Sequence, residues 1–565
     1  MILNIDLNKK SSNKEEYRHF VAGRTLSSRL IAKYVQPDIH PLSQKNVLVI
    51  CPASFAGTPV PNSNRLSIGA KSPLTGGIKE SNIGGRVPDL IARSGIRAIT
   101  VSGALEELSV LIIDKGNCRF EKAPELKGLM NYELFEKLYE KYGKNVGILG
   151  IGPAGENKLI NSTISGNDLE GHASRHAGRG GMGAVMGSKN IKAIIFLEPG
   201  SPMIMPPEDT KKEFLKVSRD FAQRIIKSKV NMTLFSNLSL VSYINRLGAL
   251  PIRNYRESSS EEALALSGEN IVDELKSRGG RMGHACSKGC VVRCSNIIHD
   301  KNGEYVTSGF EYESIVMLGS NLGIFNFDKV VPLERFCDEF GLDTIETGAS
   351  FAVAAEAGLA EFGNAESFSA LTHEIRSLSP FGRLLASGSG LLGKVFGITR
   401  VPAIKNQSMA AYDPRGLKGT GTTYATSTMG ADHTAGNVFP AVSKVDVRNG
   451  EGQVAESLYR QIMYTAFDIF LCIYVGATEE NLDTIATLVN LFYNEQITKE
   501  DIFEIAKSTI TLEMKFNEAC GLNSRHNLMP EFFIEEEDSR GNKYDVPNSE
   551  LRAAPEILKG LEIRK

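Results

Sequence analysis

The chain has 565 residues, 64 Lys and Arg against 66 Asp and Glu, and a formal net charge of −2, so it offers no electrostatic footprint for nucleic acid or an anionic membrane. A hydrophobic fraction of 42% is globular, no run reaches the ~18 apolar residues of a membrane span, and the opening MILNIDLNKKSSNKEEYRHF is not built like a secretory signal. Eight cysteines make no disulfide scaffold; the expectation is a cytoplasmic chain of roughly three or four domains whose clustered thiols bind metal.

In chain order, the first ~200 residues alternate short β-branched runs with Gly-rich turns: NVLVICP, RLSIGAK, IRAITVSG, LSVLIIDKGN and IKAIIFLEPG predict strands. Helical patches, PDLIARSG and NYELFEKLYEKYG, lie between them. Residues 199–209, PGSPMIMPPED, carry four prolines and read as a linker. Beyond it KKEFLKVSRDFAQRIIKS, FAVAAEAGLAEF, AESFSALTHEIRSL and LYRQIMYTAFDIFLCIYVG space their apolar residues by three and four, so the remainder is predicted helical. With a second break near ITRVPAIKNQSMAAYDPRG, the expected organisation is a β-rich unit at 1–207 and two helical units at 208–404 and 405–565.

The sharpest local feature is CSKGCVVRC, with Cys286, Cys290 and Cys294 inside nine residues. Thiolates are soft ligands for iron–sulfur clusters or zinc, so the triplet reads as a metal site, with three buried free thiols as the plain alternative. A fourth ligand would come from Cys51, Cys118, Cys337, Cys472 or Cys520, of which Cys472 in an apolar stretch best shields a cluster.

Two segments match G-x-G-x-x-G, GIGPAG at 150–155 and GSGLLG at 388–393. The second follows a helix, and the first lacks a helical pattern after it, so neither makes a credible dinucleotide fingerprint. HAGRGGMGAVMGSKNIKAI at 176–194 and KSPLTGGIKESNIGG at 71–85 are more informative. Their glycines let backbone amides approach a ligand, and Arg179 offers a planar fork to phosphate. Two such loops in one β-rich unit suggest a large phosphorylated cofactor lying across a sheet.

Together with AGRTLSSRL, NRLGALPIRN, FEYES, DEFGLD and GADH, these segments resemble the tungsten-dependent aldehyde ferredoxin oxidoreductase family over nearly the whole chain. The resemblance implies an α+β fold, with an N-terminal β-sandwich-like domain forming the base of a pterin site and two mainly helical domains covering it. It implies tungsten (or molybdenum, which the residues do not distinguish) chelated by two pyranopterins, magnesium bridging their phosphates, and one 4Fe-4S cluster. By resemblance Cys286, Cys290, Cys294 and Cys472 hold the cluster and Arg65 stands between cluster and pterin. Asn82, Ile83 and Gly84 form one pterin loop; His176, Ala177, Gly178 and Arg179 form another. Asp338, Gly341, Leu342 and Asp343 match the first of two D-x-x-G-L-[DC] motifs, and Asp468, Leu471 and Cys472 the second.

Two departures mark a divergent branch. The triplet is C-x-x-x-C-x-x-x-C, one residue longer in its first gap than in the best-known members, and DIFLC is one residue short and lacks its glycine. No motif resembles the bridging-iron site that some members use at a dimer interface, and the oligomeric state, of like or unlike subunits, stays open.

The resemblance further implies aldehyde oxidation to a carboxylic acid, with electrons passed to ferredoxin or a small ferredoxin-like subunit. His433 and Glu313 are the acid/base candidates. If EYE is extended, Glu311 and Glu313 share a face and Tyr312 packs away from it, so either carboxylate is eligible; GADH alternatively reads as a turn capped by Asp432. A reductive member of the aromatic acyl-CoA ring reductase type, or a non-catalytic electron-relay subunit, are the competing readings.

Overall fold

The computed structural model describes residues 1–564. Its N-terminal part holds two six-stranded sheets. The first uses β1 (Ile2–Asp6), β2 (Ser11–Glu15), β3 (Leu48–Pro52), β4 (Leu66–Lys71), β5 (Ile78–Ile83) and β6 (Ala98–Ser102) in the order β2-β1-β6-β3-β4-β5. The second uses β7 (Ser109–Asp114), β8 (Asn117–Lys122), β9 (Gly147–Gly150), β10 (Ile164–Gly166), β11 (Arg175–Ala177) and β12 (Ile191–Phe196) in the order β11-β10-β9-β12-β7-β8. Each sheet is antiparallel apart from one parallel pair, β1 with β6 and β7 with β12.

Alternation along the strands decides the layering. Leu3, Ile5, Leu48, Ile50, Leu66, Ile68, Ile99 and Val101 of the first sheet share one core with Leu111, Ile113, Leu149, Ile164, Ile194 and Phe196 of the second, which makes the expected sandwich. The outward faces are apolar as well. Val49, Cys51 and Ala98 pack on Leu26, Leu30 and Ile31 of the Gly23–Tyr34 helix. Val110, Ile112, Ile148 and Ile195 pack on Leu134, Phe135 and Leu138 of the Asn131–Tyr142 helix. Burial on both faces is why these strands read as continuous apolar runs.

The rest is mainly helical around one large core, with a small antiparallel sheet of β13 (Arg281–His284), β14 (Ser295–His299) and β15 (Tyr305–Ser308). KKEFLKVSRDFAQRIIKS is the helix Lys211–Ser228, as its spacing predicts.

Two local expectations change and one holds. Half of the Gly-rich stretch 71–85 is strand, because Ile78–Ile83 pairs with β4 from Leu66↔Ile83 to Lys71↔Ile78, leaving only 72–77 as a turn. As expected, GIGPAG makes no dinucleotide site: its second half is a single helical turn, Pro153–Glu156, with no helix after it. The helix through LYRQIMYTAFD stops at Asp468, so Cys472 lies beyond it in a loop.

Candidate functional site

A cavity of about 300 Å³ opens where the ends of β5 and β11 meet the cysteine loop and the helical part. Backbone hydrogen bonds hold these pieces together. Gly85 N donates to Cys286 O (2.9 Å), tying the cysteine loop to the end of β5. Thr163 N donates to Gly341 O (2.9 Å) and Asp343 N to Asn161 O (3.0 Å), tying DEFGLD to the second sheet. Cys472 N donates to Asn62 O (3.0 Å) and Ser54 N to Ile469 O (2.8 Å), tying DIFLC to the β3–β4 connection.

Most of the residues singled out from sequence reach this cavity. Arg65, Asn82, Ile83, Gly84, His176, Gly178, Arg179, Asp338, Leu342, Asp343 and Asp468 line it, as do Glu313, His433, Cys286, Cys294 and Cys472. Ala177, Gly341, Leu471 and Cys290 stand behind that wall. Ala177 pairs with Ile164 in β11. Leu471 is buried. Cys290 Sγ sits 3.4 Å from Asn62 Nδ2 and 3.4 Å from Arg293 N.

Arg65 connects the two ends of the cavity: Nε donates to Asn82 Oδ1 (2.6 Å) and Nη1 to Cys286 Sγ (3.8 Å). Gly84 is required by this approach, since a Cβ there would meet Arg65 Nη1 at 2.9 Å and Cys286 Sγ at 3.3 Å. Arg65 is held charged by Cys472, Cys286, Cys294 and Cys290 together, against the burial that opposes it. In return the Cys286 thiol is pulled well below its ordinary range, by a hydrogen bond with Cys290 and by the Arg65 and Arg175 guanidiniums.

Arg179 is a correction. Its guanidinium does not present a free fork. Nε donates to Asp343 Oδ2 (3.2 Å), Nη1 to Ala431 O (2.8 Å) and Nη2 to Ser408 O (2.7 Å), so it clamps helical segments onto the Gly-rich loop. The space for a ligand lies instead at Gly178, where a Cβ would touch nothing within 4 Å.

The guanidinium with capacity to spare is one the sequence reading missed. Arg175 is 6% exposed and lines the cavity. Only Nη1 is engaged, with Ser295 Oγ (3.0 Å) and Glu311 Oε1 (3.4 Å), while Nε and Nη2 are buried without a partner. Its place directly before His176 was the available signal. Asn237, Glu334 and Tyr474 also line the cavity, and no motif marks them.

The EYE segment is a second correction. Glu311 is the extended N-cap of a helix, Tyr312–Met317, so Glu311 and Glu313 are not successive residues on a strand face. They serve different neighbourhoods. Glu311 accepts from Ser295 Oγ (2.9 Å) and Asn237 beside the thiols, and burial raises its pKa. Glu313 Oε1 lies 3.1 Å from His433 Nε2 and accepts from Tyr412 Oη (3.0 Å). Burial would raise the Glu313 pKa, but His433 and Tyr412 outweigh it and hold the carboxylate below its usual range. Tyr312 packs away, donating to Ala411 O (2.7 Å).

The turn reading of GADH holds. Asp432 caps the short 3-10 turn His433–Ala435, accepting from Thr434 N (3.0 Å). It is also ion-paired with the fully buried Lys79. Burial pushes Asp432 up, yet Lys79 and Arg179 hold it far below the ordinary carboxylate range. The imidazole therefore sits on a fixed negative charge, with Nδ1 3.7 Å from Asp432 Oδ1.

Among the described residues, the ligand atoms of Asp168, Glu170 and His284 come within 4.8 Å of one another. Asp168 already accepts from two backbone amides and two serines, and Glu170 is bound by Arg281 at 2.9 Å, so the trio is a tie between the β10–β11 connection and β13.

The model for the N-terminal domain of aldehyde ferredoxin oxidoreductase matches residues 2–198, and that for domains 2 and 3 matches residues 216–556. The chain is 31% identical to a tungsten-containing aldehyde ferredoxin oxidoreductase of Pyrococcus furiosus, over 94% of this chain and 91% of that protein. It is 26% identical to an aliphatic sulfonate oxidoreductase, WOR-like subunit, of the same organism, over 81% and 77%. Its fold is similar to that of the active site complex BamBC of benzoyl coenzyme A reductase, with a TM-score of 0.82, 17% identity, and 99% and 94% of the two chains covered.

Proposed function

The chain belongs to the aldehyde ferredoxin oxidoreductase family and is an oxidoreductase, and on that premise we propose that it oxidises aldehydes to carboxylic acids and passes the electrons to a ferredoxin or ferredoxin-like subunit. The observation that carries this reading is the convergence on one cavity of Cys286, Cys294 and Cys472, the bridging Arg65, and the buried Glu313–His433 pair.

The donor set would suit a tungsten bis-pyranopterin, with magnesium as part of the same proposal. The unpartnered Nε and Nη2 of Arg175 and the open space at Gly178 supply donor capacity and room on the side of the Gly-rich loop. Asn82, Ser81 and Gly84 line the cavity at the other loop. Cys286, Cys290, Cys294 and Cys472 fit a four-iron cluster better than zinc. Tetrahedral zinc with Zn–S near 2.3 Å would bring thiolates to about 3.8 Å of one another, and no three of these sulfurs come within 4.8 Å. The organisation into units at 1–207, 208–404 and 405–565 belongs to the same proposal.

The metal, when bound, polarises the carbonyl and accepts the two electrons. The chain's own groups handle protons and shape. Oxidation consumes water and releases two protons with the two electrons. Glu313, kept ionised, accepts the proton of the attacking water. His433 Nε2, 3.1 Å away, holds and orients that carboxylate, and Asp432 Oδ1, 3.7 Å from Nδ1, fixes the ring from its other nitrogen. Tyr412 fixes the Glu313 carboxylate from the other side.

Among the described residues no helix is long and apolar enough to cross a membrane. The reductive reading draws on the fold shared with BamBC, and a relay subunit is disfavoured by the buried acid/base pair. The test is metal analysis of the purified protein followed by dye-linked assays with aldehydes and with acyl-CoA thioesters. Tungsten or molybdenum with about four irons and turnover of aldehydes is the expected result. Activity confined to thioesters would replace it with the reductive reading.

A further inference from the structure

A basic and apolar surface lies directly over the cysteine loop. Residues 226–235 (IKSKVNMTLF) and 281–294 (RMGHACSKGCVVRC) carry Lys227, Lys229, Arg281, Lys288 and Arg293 and no acidic residue, in a chain whose charge is otherwise balanced. Ile226, Val230 and Leu234, four residues apart, are 51%, 50% and 52% exposed, and the helix Val230–Phe235 has no buried residue at all. Scattered exposed apolar side chains need no explanation, but three within nine residues, two of them one turn apart on the Val230–Phe235 helix and the third just before the break at Lys229, form a local concentration.

The two segments are packed together. A Cβ at Gly283 would stand 2.6 Å from Thr233 O, Thr233 Oγ1 donates to Val292 O (3.2 Å), and Asn237 N donates to Cys294 O (2.8 Å). Lys229 lies within electrostatic reach of Cys472 and Cys294. The patch is therefore carried on a segment hydrogen-bonded directly to the cysteine loop. Lys227 and Arg293 are exposed beside it, while Arg281 and Lys288 reach back to Glu170 and Asp89.

We propose that this surface, with Ile226, Val230 and Leu234 at its centre and Lys227, Lys288 and Arg293 at its rim, docks a small acidic iron–sulfur protein that takes electrons from the chain one at a time. The inference rests on the function proposed above. An apolar centre within a charged rim is the anatomy of a transient interface, and opposite charge steers the encounter without demanding a large buried area. One cluster stores one electron while the oxidation releases two, so the carrier must arrive and leave twice per turnover. A small, salt-sensitive contact suits that traffic.

The experiment compares two acceptors on the loaded enzyme, an acidic ferredoxin and methyl viologen, which needs no docking face. It adds a direct titration of ferredoxin binding that does not depend on turnover. Leu234→Asp and Lys227→Glu should each raise the KM for ferredoxin by about tenfold, weaken the titrated binding and leave viologen reduction and iron content unchanged. Lys394→Glu, on the Ser389–Phe396 helix, serves as the control. Added salt should weaken ferredoxin binding to the parent more than to Lys227→Glu. Should Leu234→Asp lose iron, Lys227→Glu decides alone. Unchanged ferredoxin KM and binding in Lys227→Glu overturns the assignment, as does a change of oligomeric state in Leu234→Asp, which would make the face a contact between copies. Binding of ferredoxin by a protein that oxidises no aldehyde would keep the surface and reject the substrate.

Discussion

The helices Phe327–Phe340 and Gln453–Asp468 each bring an aspartate, Asp338 and Asp468, to the cavity near a C-terminus, but the chain leaves them differently. After the first, Gly341 adopts φ +83° as a left-handed cap, and Asp343 immediately caps the next helix, accepting from Ile345 N (2.9 Å). After the second there is no glycine. Ile469 stays right-handed, Phe470 and Leu471 fold back on Phe467 O (both 2.8 Å), and the chain emerges at Cys472. The close approach that glycine permits is supplied from elsewhere: a Cβ at Gly23 would stand 2.1 Å from Asp468 O. The first arm ends in a helix cap and the second in a thiol, and one related motif thereby serves two purposes.

The aspartates also differ in their partners. Asp338 is well supported, with Thr307 Oγ1 donating at 2.8 Å and His176 Nε2 3.1 Å away. Asp468 has Arg24 Nη1 only at 4.0 Å, while burial and the neighbouring Glu80 push its pKa well up. The first arm's carboxyl is held by direct partners, while burial disfavours the charged form of the second.

Removing the thiol should break the second arm's distinct role and gives the largest effect. Cys472→Ser should lose iron and the broad visible absorption of the cluster, abolish turnover and lower stability, because bound clusters couple to folding. Cys290→Ala should do the same, whereas Cys118→Ala, in β8, should leave iron unchanged. Full iron in Cys472→Ser would reduce the second arm to a copy of the first. Next comes the acid/base pair above both arms: His433→Ala should retain metal and iron and lose about 10²–10⁴ in turnover, and retained turnover removes His433 from the mechanism.

The aspartates themselves sharpen the comparison. Asp338→Asn disturbs the contacts with Thr307 and His176 and should lower pterin and metal content. Asp468→Asn mimics the protonated acid and should keep both. The pH dependence follows the same contrast. A carboxyl whose folded pKa is raised contributes stability that is fully present below the unfolded value, about 4, and lost as pH rises through the folded value. Melting of cofactor-free Asp468→Asn should accordingly fall less than the parent's on going up in pH across that window. Equal losses in the two Asn variants, or parallel melting profiles of Asp468→Asn and the parent, would erase the proposed difference between the two aspartates.

The smallest effect concerns the turns. Gly341→Ala would force an L side chain to φ +83°, with Gly152 N at 3.3 Å, and should cost about 1–2 kcal/mol. Ile469, right-handed after the other helix, has no left-handed backbone for a glycine to relieve. A thermal melt of Gly341→Ala measures this cost.

What the sequence determined by itself was whatever depends on neighbours along the chain. Runs bounded by glycine marked β3, β4, β6, β7 and β12, three-and-four spacing marked Lys211–Ser228, and short-range thiols marked Cys286, Cys290 and Cys294. Resemblance of motifs then pointed to Cys472, Asp468, Glu313 and His433, but not to how they pair. Only the tertiary structure decided that Arg179 is spent on Asp343, Ala431 and Ser408 while Arg175 keeps free nitrogens, because a guanidinium's partners come from segments as far away as Ser408 and Ala431. It alone separated Glu311 from Glu313, since a helix starting at Tyr312 replaces the two-residue repeat of a strand by a turn. The charge states of Asp468 and Asp432 follow the same rule. Both are buried carboxylates, and what distinguishes them is whether the nearest cation is Arg24 at 4.0 Å or Lys79 in direct contact, a choice made across hundreds of residues of chain.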